Sequence, residues 1–511
     1  MNTLKRILSC VIAILMVLSF VACAGETGKN DKPDKTKPTD TTAPLVNNSG
    51  IEYEEDDLPA GLNFNGEKVV VLSASVYDSD GKVDEGRKPE FTVEELTSDV
   101  INDSIYNREL YVEDRLGINI ESYQVTHRDV NTEITKQLNS QDDIYDVFLY
   151  DSHTLSTYVF DNFLVDFYTV DYLNFDKPWW SSKFIKEAEI GDMLFEITGS
   201  LSLSLTRNIY AMYYNKTLAG AYSSTITELS DLYSLVENGE WTFDKFVELG
   251  GGIYEDINGN TIPDIDDEYG IAYSDYLPLD AIWSSFDINI FSRTDEGWFE
   301  LDVNTDKLYI ALDKVYKLIH DTKGSITSGK FSVSFSDIHK TFANGHVLFM
   351  PNMLGNIETT ELRNMQDDYG ILPFPKYDKA QKEYYSYSHD QYSAFCIPNT
   401  NENPDVAGAM LEAMASYAYR DTQPAYFDIA LKGQYMTDAK SRHMLDLVVD
   451  GFMVDAAWIY LGTLANGYPP SFRYMIGEGK NSFASNHNKL SRNVDACLKL
   501  YKKDFDKMFN N

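Results

Sequence analysis

The segment "EKVVVLSAS", residues 67–75, is a short run of apolar and β-branched side chains that is typical of a buried strand. A helical pattern follows it and ends at Gly117, and its apolar face consists of Ile101, Ile105, Val112 and Leu116. The segment therefore begins a strand–helix unit.

Two more apolar runs continue this alternation along the chain. The run "INIESYQV", residues 118–125, precedes a second helical stretch near residues 132–138, and "YDVFLY" occupies residues 145–150. Strands that alternate with helices predict a parallel sheet with right-handed crossovers. The fold class expected from this region is α/β.

Apolar side chains at helical spacing also predict three later helices. They cover residues 306–320, a segment that begins at Asn403 and Pro404, and residues 489–508. The apolar faces of these helices are typical of core packing.

The length and the charge of the chain limit its function. A chain of 511 residues with 43% hydrophobic composition exceeds one usual core, so two lobes are expected. The formal net charge of −37 repels phosphate backbones and anionic lipid headgroups. We therefore expect no nucleic-acid partner.

The first residues are typical of an export signal. Lys5 and Arg6 precede an apolar run that ends in "SFVAC", which resembles the lipobox of bacterial lipoproteins. We expect residues 1–22 to be the signal peptide, Cys23 to be lipidated and residues 23–61 to form a polar tether. The protein would then be extracytoplasmic, on the outer face of the bacterial cell membrane, with its lipid anchor as the only membrane contact. The alternative is ordinary signal cleavage nearby.

Two cysteines remain once Cys10 leaves with the signal and Cys23 is lipidated. Cys396 and Cys497 could form one disulfide bond or stay as free thiols, because the sequence gives no distance between them.

Several segments, taken in order, resemble the extracellular solute-binding lipoproteins of bacterial ABC importers, in particular family 1 members with sugar-type ligands. They are "LYDSHTLSTYVFDNFLVDF" (149–167), "KPWW" (177–180), "IYAMYYNKTL" (209–218), "WTFDKFVELGGGIYED" (241–256), "TFANGHVLFM" (341–350), "DYGILPFPKYDKAQKEYYS" (368–386) and "CIPNTNENPDVAGAMLEAM" (396–414). The resemblance spans most of residues 62–505.

This resemblance implies the two-lobed type II periplasmic-binding-protein fold, with crossing hinge strands and a ligand cleft between the lobes. The first lobe would take residues 62–203 and 373–420, and the second lobe residues 204–372 and 421–511. It also implies a monomer without enzymatic activity. Such a protein closes around a small solute, here expected to be an oligosaccharide, and delivers it to separate ABC permease subunits.

Sugars present apolar ring faces and polar edges, so their sites combine aromatic side chains with carboxylates and amides. By position in the resembling fold, the expected ligand-binding residues are Tyr150, Asp151, Trp179, Trp180, Tyr276, Trp283 and Asn352. Weaker candidates are Arg207, Asp390 and Trp458. Core packing is the alternative for the aromatic residues, and ion pairing is the alternative for Arg207 and Asp390.

The segment "YEDINGNTIPDIDDEYG", residues 254–270, has the spacing of an EF-type calcium loop. Positions 1, 3, 5, 7, 9 and 12 of such a loop supply oxygen ligands. Counted from Asp256, these positions are Asp256, Asn258, Asn260, Ile262, Asp264 and Asp267. Thr261 replaces the usual glycine, and Asp267 replaces the usual glutamate, as in dockerin-type loops. We expect a structural Ca²⁺ here; the alternative is an Asn-Gly turn rich in acids.

Two other functions remain open from the sequence. A secreted glycoside hydrolase would use paired carboxylates, but the 80 acidic residues make such pairs common by chance. The chain lacks H-E-x-x-H and G-x-S-x-G motifs, and "GEGKNS" at Gly477 lacks the features of a phosphate loop. A calcium-dependent surface interaction protein is the third possibility, although dockerins carry two loops and this chain has one.

Overall fold

The computed structural model describes residues 45–46, 52–77, 88–273, 277–435 and 438–509. The predicted signal peptide and most of the predicted tether lie outside these residues. The strands are β1 (Leu45–Val46), β2 (Glu52–Tyr53), β3 (Glu67–Ala74), β4 (Ile118–Val125), β5 (Val147–Asp151), β6 (Tyr210–Asn215), β7 (Tyr254–Glu255), β8 (Glu268–Tyr273), β9 (Phe291–Arg293), β10 (Phe299–Leu301), β11 (Ser325–Thr327), β12 (Val347–Met353), β13 (Tyr369–Leu372), β14 (Ser386–Tyr387), β15 (Ser393–Cys396) and β16 (Phe452–Met453).

The α-helices connect and cover these strands. They are α1 (Val100–Leu116), α2 (Val130–Ser140), α3 (Ser152–Leu155), α4 (Ser182–Ala188), α5 (Leu203–Arg207), α6 (Lys216–Tyr222), α7 (Leu232–Glu237), α8 (Phe243–Gly250), α9 (Ala281–Ser285), α10 (Thr305–His320), α11 (Ser328–Phe331), α12 (Phe335–Ala343), α13 (Thr360–Arg363), α14 (Pro404–Tyr417), α15 (Ala439–Asp450), α16 (Ala456–Ile459), α17 (Tyr468–Gly477) and α18 (Phe483–Phe509). Two π-helical segments, Ala418–Thr422 and Ala425–Tyr435, follow α14.

The first sheet has the strand order β15-β5-β3-β4. Strand β3 is parallel to β4 and to β5, whereas β15 is antiparallel to β5. The apolar side chains of β3 are buried, as the run "VVVL" predicts. The predicted parallel strand–helix unit is therefore confirmed.

Local sequence signals explain where helix α1 begins and ends. The side chain of Asp99 accepts hydrogen bonds from the backbone N–H groups of Ile101 and Asn102, which satisfies two otherwise unpaired donors. Gly117 ends the helix with a φ of 59°, a conformation that glycine adopts without strain. Helix α1 thus returns the chain directly into β4.

The second sheet has the order β11-β8-β12-β6-β13, with β7 paired to β8. Strands β11, β8 and β12 are parallel, and β6 is antiparallel to β12 and β13. Trp241 lies fully buried beneath this sheet and donates its indole N–H to the carbonyl of Pro373 at 2.9 Å.

The chain crosses between the two sheets at α5 and again before β15. At this crossing Ile209 and Ser388 form an antiparallel bridge, and the hydroxyl of Ser388 donates to the carbonyl of Leu205 at 2.9 Å. The two-lobed α/β fold with crossing strands is therefore confirmed. The residue limits of each lobe stay a prediction.

The described end of the predicted tether packs on helix α1. Leu58 is buried, and the carboxylate of Asp56 forms an ion pair with Arg115. The last helix, α18, contacts distant parts of the chain, because Tyr501 packs on Phe160 at 4.7 Å between ring centroids.

Candidate functional site

The carboxyl ends of strands from both sheets border one cavity of about 660 Å³, called the cleft here. Tyr150 lies at the end of β5, His127 follows β4, and Met353 ends β12. The two segments where the chain crosses between the sheets, called the crossing segments here, are α5 and the chain that leads into β15. They contribute Arg207 and Ser393. Ligands of open α/β sheets bind at this edge, so the cleft is the candidate site.

Glu90 joins the cleft wall to both crossing segments. Its carboxylate accepts hydrogen bonds from the backbone N–H of Ser204 at 2.8 Å and from the hydroxyls of Ser204 and Ser393. Beneath it, the fully buried Arg108 donates through Nη2 to the carbonyls of Glu90 and Phe91. These bonds fix the direction of the Glu90 side chain.

Arg207 is the buried cation of the cleft. Its Nε donates to Glu358 at 3.2 Å, and its guanidinium lies 4.8 Å from the ring centroid of Tyr426 in the π-helical segment. Burial lowers the pKa of Arg207, but Glu358, Tyr426 and Glu90 together outweigh burial, and the pKa is raised. The guanidinium therefore stays charged.

Tyr150 is bound to a histidine at the cleft wall. Its hydroxyl donates to the carbonyl of His127 at 2.8 Å and lies 2.7 Å from His127 Nδ1. Asp151, the next residue, is buried, and its Oδ2 lies 3.9 Å from the same Nδ1. Tyr150 lines the cleft directly, and Asp151 lies behind it.

Asn352 and Asp390 lie behind residues that line the cleft. The buried Asn352 accepts a hydrogen bond from the amide of Asn356, and Asp390 lies 3.2 Å from Nδ1 of His389. Both Asn356 and His389 border the cavity.

The predicted tryptophans lie in the protein interior. Trp179 and Trp180 are buried, and Trp180 donates its indole N–H to Glu412 at 2.9 Å. Trp283 packs on Phe472 at 5.8 Å between ring centroids. Trp458 is buried beside Tyr387 at 5.0 Å. These four are not among the residues that line the cleft. Tyr276 lies outside the described residues.

Glu90 and Tyr77 were not predicted from the sequence. Tyr77 follows β3, lines the cleft and is 52% exposed, so its ring can meet a ligand. The available signal was their place between β3 and α1 in the sequence, since residues that follow the carboxyl ends of parallel strands form such sites.

The predicted calcium loop, residues 256–267, is called the acidic loop here and connects β7 to β8. The carboxylate of Asp256 accepts from the backbone N–H groups of Gly259 at 2.7 Å and Thr261 at 2.8 Å. Thr261 has a φ of 63°, the left-handed conformation for which EF-type loops use glycine. Asn258 and Asn260 both donate side-chain N–H groups to Asp264.

Within the described ranges, no helix is long and apolar enough to cross a bilayer. Cys396 is a buried free thiol, and Cys497 is a partly buried free thiol.

No protein-family model and no curated protein sequence matches the chain. Solved structures do match it. A cyclo/maltodextrin-binding protein in complex with maltotetraose superposes with a TM-score of 0.53 and 13% identity, over 87% of this chain and 98% of the other. An ABC substrate-binding protein from Listeria monocytogenes in complex with cycloalternan has a TM-score of 0.52 and 10% identity, over 84% and 98%.

A third match is the GacH receptor of Streptomyces glaucescens, whose structures include complexes with acarbose. It has a TM-score of 0.51 and 14% identity, over 86% of this chain and 99% of the receptor. Near-complete coverage of each of these proteins means that the likeness includes both lobes. The chain therefore has the two-lobed α/β fold that these substrate-binding proteins share.

Proposed function

We propose that the protein binds a small solute, an oligosaccharide, in the cleft and delivers it to an ABC-type importer. The observation that supports this most directly is the cavity of about 660 Å³ at the carboxyl edges of both sheets. Its volume lies in the range of about 300–1,000 Å³ that is typical of small-molecule sites. The substrate-binding proteins that share the fold have oligosaccharide ligands.

The side chains of the cleft suit a polyhydroxylated ligand. Glu90 supplies carboxylate acceptors, Arg207 supplies guanidinium donors, and Asn356 supplies an amide. Tyr77 and Tyr150 supply ring faces. Sugar rings offer apolar faces and hydroxyl edges to groups of these kinds.

Two cleft carboxylates are already engaged as acceptors. Glu90 binds Ser204 and Ser393, and Glu358 binds Arg207. These bonds hold the two carboxylates in fixed positions from which their remaining lone pairs can accept sugar hydroxyls. The proteins that share the fold are substrate-binding proteins, and we propose on that ground that this protein is not an enzyme.

Delivery requires a position at the cell surface. We propose that the protein is an extracytoplasmic monomer, that lipidated Cys23 anchors it to the outer face of the membrane, and that closure of the lobes presents the loaded form to separate permease subunits.

A thermal-shift screen of the purified protein against neutral oligosaccharides, peptides and small metabolites tests the proposal. A ligand at about one hundred times its dissociation constant adds about 2.7 kcal/mol to the free energy of unfolding. We expect maltodextrin-type oligosaccharides or related sugars to raise the Tm and calorimetry to give one site per chain. Hydrolysis of a glycoside with no saturable binding would support the enzyme instead.

A further inference from the structure

The acidic loop contains a buried carboxylate oxygen that has no hydrogen-bond partner in the described part of the chain. Asp267 is fully buried, and its Oδ2 accepts from the hydroxyl of Tyr254 at 3.1 Å and the backbone N–H of Asp264 at 3.2 Å. Its Oδ1 has no hydrogen-bond partner among the described residues. Such an atom costs free energy unless a donor or a cation compensates it. The orphan oxygen belongs to position 12 of the loop.

Two amide groups of the loop donate to the carboxylate of Asp264. Asn258 Nδ2 lies 3.1 Å and 3.2 Å from the two carboxylate oxygens of Asp264, and Asn260 Nδ2 lies 2.6 Å from its Oδ2. The amide N–H groups thus point their positive ends at the carboxylate. The amide oxygens of Asn258 and Asn260 accept from the backbone N–H groups of Asn260 at 2.9 Å and of Ile262 at 2.7 Å. Rotation of either amide would break that bond, so a cation would have to take these oxygens in their present orientation.

The backbone of the loop already has the turn that an ion requires. Asp256, at position 1, accepts backbone hydrogen bonds from Gly259 and Thr261, which curves the loop around its carboxylate. Thr261 has the left-handed conformation that position 6 needs.

We infer that the acidic loop binds one Ca²⁺. The donors are the carboxylates of Asp256, Asp264 and Asp267, the amide oxygens of Asn258 and Asn260, and the carbonyl of Ile262. Among the described residues no three His, Cys, Asp or Glu side chains lie close enough together to hold a metal ion. The three carboxylates of the loop would therefore have to move together when the ion binds, and the amides and the carbonyl would complete the set. A ligand set of six or more oxygens at flexible distances suits Ca²⁺ better than Mg²⁺.

The bound ion would fasten the connection between β7 and β8, and this role does not depend on what the cleft binds. Residues 254 and 255 pair with residues 269 and 268 directly beside the loop. The ion would therefore stabilise the edge of the second sheet.

Terbium luminescence tests the site directly, because Tb³⁺ replaces Ca²⁺ and is sensitised by nearby tyrosines. The hydroxyl of Tyr254 binds Asp267, and the hydroxyl of Tyr269 donates to the carbonyl of Asp264 at 3.0 Å. Excitation of tyrosine in the purified protein should give saturable Tb³⁺ emission, which Ca²⁺ abolishes and equal Mg²⁺ does not.

Three variants separate this site from general attraction of cations to an acidic protein. Asp267→Asn and the exposed Asn260→Ala should each reduce Tb³⁺ affinity at least tenfold and abolish the rise in Tm with Ca²⁺. Asp266→Asn, an exposed change at the non-ligating position 11, should keep both signals. Equal emission from all variants, or no emission and no Ca²⁺-dependent Tm in the wild type, would overturn the inference.

Discussion

Arg207 and Glu358 meet through a hydrogen bond of 3.2 Å between Nε and Oε1, and each side chain is only 10% exposed. Loss of one member of a buried ion pair leaves the other charge uncompensated. Glu358→Gln should therefore lower the free energy of unfolding by about 3 kcal/mol. Denaturant titration measures this, with the exposed Glu383→Gln as the control. An unchanged midpoint would show that solvent already screens Arg207.

Tyr77 should contribute a stacking surface to the ligand. Tyr77→Ala should weaken binding of the sugar identified by the screen about tenfold, or about 1.4 kcal/mol, whereas Tyr77→Phe should retain most of the affinity. Calorimetry measures both variants. Tyr474→Ala is the matched control, since Tyr474 is exposed and is not among the residues that line the cleft. Full affinity in Tyr77→Ala would remove this residue from the site.

Glu412 should make stability depend on pH. Burial raises its pKa from 4.5 to about 7, although the indole N–H of Trp180 acts in the opposite direction. The folded protein therefore keeps the Glu412 carboxyl proton to a higher pH than the unfolded chain does. The stabilising contribution of Glu412 to the free energy of unfolding is complete below its unfolded pKa. It is lost as the pH rises through about 7.

Glu412→Gln removes this titration. Between about pH 4 and about pH 8 the free energy of unfolding of the wild type should fall, relative to the variant, by on the order of 3 kcal/mol. Denaturant curves at several pH values measure the difference, and the exposed Glu237→Gln should follow the wild type. Parallel pH curves for wild type and Glu412→Gln would contradict the assignment.

The two free thiols should differ in reactivity. Burial raises the pKa of Cys396 well above its ordinary value, so little thiolate forms and reagents cannot reach it. In Cys23→Ser protein, Ellman's reagent should label Cys497 first and Cys396 only after unfolding. Cys497→Ser should remove the early phase, and Cys396→Ser should keep it. A disulfide-linked peptide that contains Cys396 and Cys497 in a non-reduced digest would show that neither residue is a free thiol.

Cys23 should determine the membrane attachment of the mature protein. Cys23→Ser should move the protein from the membrane fraction to the medium, and mass spectrometry of the wild type should find acyl chains on Cys23. Ser19→Ala, within the signal, is the matched control. Wild-type protein with an unmodified N-terminus elsewhere would exclude the anchor.

The fold could be predicted because its signals are local. The buried run in β3, the apolar face of α1 and the stop at Gly117 lie close together in sequence, and the structure confirms each. The last helix begins at Phe483, earlier than predicted, because its polar first turns carry no apolar stripe.

The site was harder to predict, because it is assembled from distant parts of the chain. Glu90 contacts Ser204 and Ser393, which lie 114 and 303 residues away in sequence. Tyr150 could be predicted at the edge of the sheet because it lies at the end of a strand that the sequence indicates clearly. The adjacent tryptophans at 179 and 180 had two equal interpretations, a stacking surface for a ligand or core packing, and the structure buries both. Composition alone does not distinguish an aromatic residue of the core from one that meets a ligand.

Strand β8 separates the acidic loop from the cleft. The loop precedes Glu268 at one end of the strand, and Leu277 of the cleft follows the other end in sequence. Six extended residues span roughly 20 Å, so a cation in the loop and a solute in the cleft do not touch. If the loop binds Ca²⁺ as inferred, removal of the ion should lower the free energy of unfolding and leave the relative affinities of the cleft for different solutes unchanged.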